Sequence, residues 1–257
     1  MRIATWNLDH ASNGSRPIDL QIEQIKKIDP DIIVLTETCE NVDLTESGYK
    51  ASLLSEKNIY GKYWSSIWSK FPIVNQIANK LGTYDPETAA CAEIETDNGN
   101  IIVYGTIITW CGDPGPDTDN KSPYWLEHHR SIFDHGDDWN KLIRKNEKNL
   151  PFFVCGDFNQ TRDKSNAYCS KGGQNILMLD EQLKRNNLIC LTEENFGETS
   201  KLSPDPNKGY PRNNIDHICV SKDSVKIINV GAWDHFANSG IYLSDHNGVY
   251  VDFMFKV

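Results

Sequence analysis

Phe152-Phe153-Val154-Cys155-Gly156-Asp157-Phe158-Asn159-Gln160-Thr161 reads FFVCGDFNQT. Four apolar residues run up to a glycine, and then an acid and an amide appear with one residue between them. The apolar run reads as a buried strand bounded by a turn signal. Asp and Asn after a strand are ordinary turn formers, so the pair alone does not announce chemistry. What decides the matter is whether other strands end in the same way.

They do. Strand-like runs cover Ile3 to Leu8, Ile32 to Thr36, Tyr63 to Trp68, Ala89 to Thr96, Ile101 to Thr109, Phe152 to Gly156, Leu188 to Thr192, Ile215 to Ser221, Val225 to Val230 and Gly248 to Phe255. Helices are expected around Ile18, Ile22, Ile25 and Ile28, which recur every three or four residues before Asp29-Pro30, and over Tyr124 to Lys148 and Asn175 to Asn186. Asp97-Asn98-Gly99-Asn100 between two strand runs predicts a hairpin. Strands joined partly by helices and partly by hairpins predict an α/β (α+β) architecture with a mixed sheet. Gly112 to Pro123 and Ser203 to Asn214 read as long loops, and nothing resembling a linker divides residues 1–257, so one domain is expected.

Composition narrows the classes. The longest apolar runs span about four residues, whereas a membrane span needs about 20, so no membrane role is expected. Met1-Arg2 leads straight into Ile3-Ala4-Thr5-Trp6 without an apolar leader. The seven cysteines are an odd number, form no C-x-x-C pair and sit partly inside apolar runs, which fits reduced thiols and a cytoplasmic setting. Sequons occur at Asn13, Asn120 and Asn159, and a glycan on Asn159 would obstruct any function there. A net charge of −10 argues against a duplex binder that relies on a broad cationic surface. The one basic cluster, Lys141, Arg144, Lys145 and Lys148, reads as a solvated helix face.

Asn7 and Asp9 close the first strand, Glu37 follows Ile32-Ile33-Val34-Leu35-Thr36, and Asp157 and Asn159 follow the opening stretch. Asp216 opens Ile215-Asp216-His217-Ile218, and Asp245-His246 precedes the last strand. Such ends converge on one edge of an α/β protein, where ligands commonly bind. A set of hard oxygen donors with no cysteine suits Mg²⁺, with Mn²⁺ able to substitute, rather than structural zinc. A histidine beside carboxylates can donate to a phosphate oxygen or carry a proton. Each residue alone has a plainer reading as a turn former, helix acid or structural histidine; the case rests on the set.

The order Thr5-Trp6-Asn7-Leu8-Asp9, Asp31 to Glu37, Ser69-Lys70-Phe71-Pro72-Ile73, Gly156-Asp157-Phe158-Asn159, Ile215-Asp216-His217 and Ser244-Asp245-His246 resembles the endonuclease/exonuclease/phosphatase superfamily, with its deoxyribonuclease-like fold. The resemblance runs from residue 5 to residue 246. It implies a four-layer sandwich of two mixed β-sheets face to face, with helices on the outer faces, and a Mg²⁺-dependent phosphodiesterase, most readily a nuclease. By similarity Glu37 is the principal metal ligand with Asn7 and Asp9 near the ion, and Asp245 would stand at the leaving-group or metal side. Asp157 would orient or deprotonate the attacking water, Asn159 would hold water and phosphate, and His246, oriented by Asp216, would contact the phosphate.

One position departs from the family pattern. After Thr106 a His or Tyr is usual, and Ile107 stands there. Trp110 to Asp113, or His128, His129 and Arg130 at the start of the second helix, are candidate replacements; the plain alternative leaves the last three solvated. His217 is read as lying behind Asp216. The P-x-W-C-D-R-I block of inositol-polyphosphate phosphatases is missing, which weakens a phosphoinositide reading. Two alternatives stay open: a phosphatase or phosphodiesterase for a small-molecule or lipid phosphoester, and a non-catalytic phosphate-binding member.

Overall fold

The computed structural model describes residues 1–10, 17–58, 61–77, 86–115, 121–163, 169–197, 199–205 and 209–256. The sequons at Asn13 and Asn120 lie outside the described residues. In chain order the strands are β1 (Arg2–Asn7), β2 (Ile32–Thr38), β3 (Ala51–Leu54), β4 (Tyr63–Ser69), β5 (Ile73–Ile77) and β6 (Ala89–Thr96). They continue with β7 (Gly99–Ile107), β8 (Phe152–Asp157), β9 (Leu188–Cys190), β10 (Asp216–Ser221), β11 (Val225–Trp233) and β12 (Gly248–Phe255). The helices are α1 (Ile18–Ile28), α2 (Leu126–Lys145) and α3 (Gln174–Arg185).

Two six-stranded mixed sheets result, ordered β11-β12-β1-β2-β4-β3 and β5-β6-β7-β8-β10-β9. Each holds one parallel pair, β1/β2 in the first and β7/β8 in the second, and the other pairings are antiparallel. A parallel pair needs a crossover, and α1 makes one while α2 lies in the other. Strand alternation sorts the side chains. Ile3, Val34, Phe153, Cys155, Val251 and Phe253 face the layer between the sheets, where the Phe153 and Phe253 rings meet at 4.9 Å. Ala4, Trp6, Ile33 and Leu35 point outward onto Ile25 of α1, and Phe152 and Val154 point outward onto Trp139 of α2 and Leu179 of α3. With both faces covered, the central strands are apolar without polar alternation. This is the four-layer α/β sandwich that the resemblance implied.

Every expected strand and helix is present, with shifts of one or two residues at most ends. Two strands are additions: β3 and β5, each at a sheet edge. β3 is half-buried except for exposed Ser52, and Val74, Asn75 and Gln76 of β5 are exposed, so neither carries a strong periodic signal. The helix expected from Tyr124 begins at Leu126, because Trp125 adopts a left-handed backbone (φ 75°). Among the described residues no helix is long and apolar enough to cross a membrane.

Candidate active site

The topology explains why polar strand ends gather. In each parallel pair the C-terminal ends point the same way, so Asn7 and Thr36 are neighbours in one sheet and Ile107 and Asp157 in the other. β10 runs antiparallel to β8 and pairs Asp216 directly with Asp157. β12 runs antiparallel to β1, which brings the turn before it back to the end of β1. That turn is tied down: Ser244 Oγ donates to Asn7 O (2.6 Å), His246 N donates to Ser244 Oγ (3.0 Å), and Trp6 Nε1 donates to His246 O (2.9 Å).

Local backbone supports the placement. Gly156 adopts φ 147°, and a Cβ on it would lie 1.7 Å from Thr106 O. Only glycine allows β8 to approach β7 so closely just before it delivers Asp157. Glu37 sits at φ 51° within β2, a left-handed conformation that is uncommon outside Gly and Asn, and the β2/β4 pairing skips this residue. Backbone conformations of this kind persist where surrounding contacts hold them.

At the rim the Asn7 amide joins the two sheets. Its Nδ2 donates to Glu37 Oε1 and to Asp157 Oδ2, each at 2.9 Å, while its Oδ1 accepts from Asp9 N at 2.8 Å. Asn159 steadies the same carboxylate, its backbone N donating to Asp157 Oδ1 (2.7 Å) and its Nδ2 to Asp157 Oδ2 (3.2 Å) and Ile108 O (2.9 Å). His246 Nδ1 donates to Asp216 Oδ2 at 2.5 Å. Its Nε2 lies 3.6 Å from Asp245 Oδ1 and 4.0 Å from Asp157 Oδ2. Asn7, Glu37, Asp157, Asn159, Asp216, Asp245 and His246 therefore form one connected group, with Asp9 attached through its backbone.

The electrostatics follow from burial and like charge. Burial pushes the Asp157 carboxyl well up, and the Asp216 and Glu37 carboxylates push the same way against the opposing His246. Burial would raise Glu37 too, but hydrogen bonds from His10 and Asn7 hold it below its ordinary value. Burial would lower His246, but the Asp216, Asp157 and Asp245 carboxylates outweigh it and keep the imidazole well above the usual histidine range.

These residues fit a divalent cation. Asp157, Asp216 and His246 each place one ligand atom within 4.8 Å of the others. Asp216 Oδ1 is buried with no hydrogen-bond partner. The carboxylates of Glu37, Asp157, Asp216 and Asp245, buried or half-buried on one rim, carry a desolvation cost that a cation offsets. The acid–imidazole pair already engages one Asp216 oxygen and Nδ1, whereas Glu37 lines a cleft of ≈ 480 Å³.

That cleft contains a residue sequence reasoning missed. His10 Nε2 lies 2.9 Å from Glu37 Oε2, and its ring meets Trp64 edge-on at 5.2 Å. His10 stands in no motif; its proximity to Asn7 was the only available signal. Ile107, Trp110 and Asp113 line the same cleft. Of the three helix candidates, none lines it. His128 is fully buried, its Nδ1 donating to Thr109 O at 2.6 Å and its Nε2 lying 3.3 Å from Gln160 Oε1, and burial pushes it down to about 4. His129 stacks on Trp125, and Arg130 is exposed and paired with Glu127. His217 lies behind Asp216, buried between Thr192 O and Gln160 O.

Fold and site together define a two-sheet sandwich whose parallel strand ends present an acid–amide–imidazole group. The chain belongs to the endonuclease/exonuclease/phosphatase family, in general phosphoester hydrolases: the family model matches residues 4–246. No curated protein sequence matches it significantly. Among solved structures, an AP endonuclease from Archaeoglobus fulgidus superposes with a TM-score of 0.68 at 15% identity, covering 100% of each chain. The human Nocturnin catalytic domain gives a TM-score of 0.65 at 19% identity, covering 100% of this chain and 94% of that one. TDP2 from D. rerio, complexed with single strand DNA product, gives 0.65 at 12% identity, covering 99% and 98%. At such identities the likeness is one of fold.

Proposed function

We propose that residues 1–257 act as one catalytic domain, a Mg²⁺-dependent phosphodiester hydrolase that cleaves a nucleic-acid strand, working in the reducing cytoplasm. The observation that carries this reading is the gap between His246 Nε2 and the Asp157 and Asp245 carboxylates, 4.0 and 3.6 Å away, with His246 Nδ1 engaged by Asp216. A phosphoryl oxygen placed there accepts from the cationic imidazole, while a neighbouring carboxylate is free to take a proton from water. The AP endonuclease and the DNA-bound TDP2 among the fold neighbours support a nucleic-acid substrate for this rim.

Glu37, with Asn7 beside it and Asp9 and Asp245 close by, would hold Mg²⁺ or Mn²⁺, which when bound neutralises charge developing on the phosphoryl oxygens. Asp157, raised by burial, accepts the proton of the attacking water, and Asn159 and Asn7 hold its two oxygens in place. His246 donates from Nε2 to a phosphoryl oxygen while Asp216 fixes its tautomer.

A second reading, a small phosphodiester, has one observation in its favour. The described lining of the cleft holds no Lys or Arg but does hold Ile107, Trp64, Trp110, Glu87 and Asp113, and a long polyanion is ordinarily gripped by cations. The test is hydrolysis of bis(p-nitrophenyl) phosphate with Mg²⁺ or Mn²⁺, against EDTA, Asp157→Ala and His246→Ala. Loss of turnover by about 10²-fold or more in each variant is expected for a proton-transfer group. Turnover indifferent to EDTA and to both substitutions would end the proposal. Single-stranded DNA, RNA and a small diester compared at equal concentration then separate the two readings.

A further inference from the structure

On the helix-packed face of the second sheet, away from the rim, lies another group of ionisable side chains. Cys190 of β9 and Cys219 of β10 are direct cross-strand partners. The next pair along is closed by a hydrogen bond from Leu191 N to Ile218 O at 2.8 Å. Pairs alternate along an antiparallel ladder, so 190–219 is a non-hydrogen-bonded pair, where Cα atoms approach to about 4.5 Å and side chains are nearest. A disulfide joins Cα atoms about 4.4–6.8 Å apart. Both thiols are free.

A histidine and an arginine lie next to this pair. His217, two residues before Cys219 on the same face of β10, has Nδ1 3.0 Å from Thr192 O and Nε2 3.0 Å from Gln160 O. Thr192 Oγ1 also lies 3.4 Å from Nδ1, so the neutral ring is held with Nε2–H donating to Gln160 O and Nδ1 facing the Thr192 hydroxyl. Arg162 is 7% exposed; its Nη2 binds Asp180 and Glu193, while its Nε and Nη1 have no hydrogen-bond partner. Burial alone would push Cys190 up, as it does Cys155, but Cys219, His217 and Arg162 reverse the direction. Cys190, half-buried, and Arg162 line a surface cavity of ≈ 500 Å³ together with Asp180, Lys184, Glu193 and Lys222.

We infer that Cys190 and Cys219 form a peroxide-reactive dithiol, with Cys190 the attacking thiolate and Cys219 the thiol that closes a cross-strand disulfide. The Cys190 thiolate attacks the terminal oxygen of a hydroperoxide, the O–O bond breaks, and the departing alkoxide takes a proton from solvent in the cavity and leaves as an alcohol, or as water from hydrogen peroxide. Cys190 is then a sulfenic acid. The Cys219 sulfur attacks it, the S–O bond breaks, and hydroxide leaves with the Cys219 proton as water. Two thiols lose two electrons, and one hydroperoxide is reduced.

The experiment uses the full reduced chain. Each cysteine's rate of alkylation by iodoacetamide is followed by peptide mass spectrometry from pH 6 to pH 8. An ordinary thiol with a pKa of about 8.5 should react roughly tenfold faster per pH unit over most of this range, whereas Cys190 should change less than about threefold overall. Hydrogen peroxide should then yield a peptide pair cross-linked through Cys190 and Cys219. In Cys219→Ser the cross-link should give way to a Cys190 sulfenic acid trapped by dimedone, and Cys190→Ser should leave Cys219 reduced. A tenfold rise per unit at Cys190, or peroxide that spares the pair while oxidising other cysteines, overturns the inference. Both of those readouts come from the unsubstituted chain, so they stand whether or not the variants fold.

Discussion

Replacing Asp216 by Asn keeps the shape of the side chain and removes its charge. In the native site His246 Nδ1 reaches Asp216 Oδ2 at 2.5 Å, with both side chains nearly excluded from solvent. A hydrogen bond to a charged partner contributes about 1.5–3 kcal/mol. At about 1.36 kcal/mol per factor of ten, its loss makes the imidazolium roughly 10- to 150-fold easier to deprotonate. Asp157 and Asp245 still face the ring, so part of its cationic character survives. A histidine raised in the folded state contributes stability that is complete below its unfolded value, about 6.5, and fades as pH rises through the folded one; Asp216→Asn brings that fading to lower pH. If cationic His246 holds the phosphate, the alkaline limb of kcat/KM moves toward acid, with the largest loss at high pH and the smallest near pH 5–6. The assay is a pH–rate profile on bis(p-nitrophenyl) phosphate, paired with NMR titration of the His246 ring. A profile and a titration both superimposable on the parent's would refute the reasoning.

Three other outcomes are expected. Gly156→Ala should lower stability by about 3 kcal/mol or more through forced contact with Thr106 O and backbone strain, or roughly 6–12 °C in Tm for a domain of this size; a calorimetric fall under 2 °C would contradict the close approach. Glu37→Gln should weaken Mg²⁺ binding by about tenfold or more in titration calorimetry, a loss on the scale of one charged ligand contact, and EDTA should abolish hydrolysis in the parent. Equal metal affinity would remove Glu37 from the ligand set. His128→Ala should cost about 1–3 kcal/mol of stability, since it leaves Thr109 O without a buried partner, while KM stays within about threefold; a large KM change at unchanged Tm would make His128 a substrate contact after all.

Much of this molecule is legible in its sequence, for physical reasons that also mark the limits. Central strands such as FFVCGD are buried on both faces, so their composition alone declares them. α1 shows its spacing because one face packs on the first sheet. The edge strands β3 and β5 are half-solvated, and their residues answer to no single environment. His128 illustrates the converse: Glu127, His128, Ser131, His135 and Asp138 form much of the buried face of α2, so a polar stretch that reads as solvated is in fact turned inward. The strand-end set could be found from order and neighbours. The contact of His10 with Glu37 could not, because it depends on left-handed backbone at Asp9 and His10 that no local pattern announces.

The Asn7 amide has one hand on each sheet, holding Glu37 in the first and Asp157 in the second. The reactive geometry is therefore a measure of how the two halves of the sandwich are aligned. A slip in the Phe153–Phe253 layer, far from any phosphate, would pull the two carboxylates apart before it unfolded anything. Misplacement by about 1 Å can cost on the order of 10²-fold in rate, so catalytic output should fail earlier than stability when the core is loosened. In this architecture the centre of the molecule is an adjusting screw for its rim.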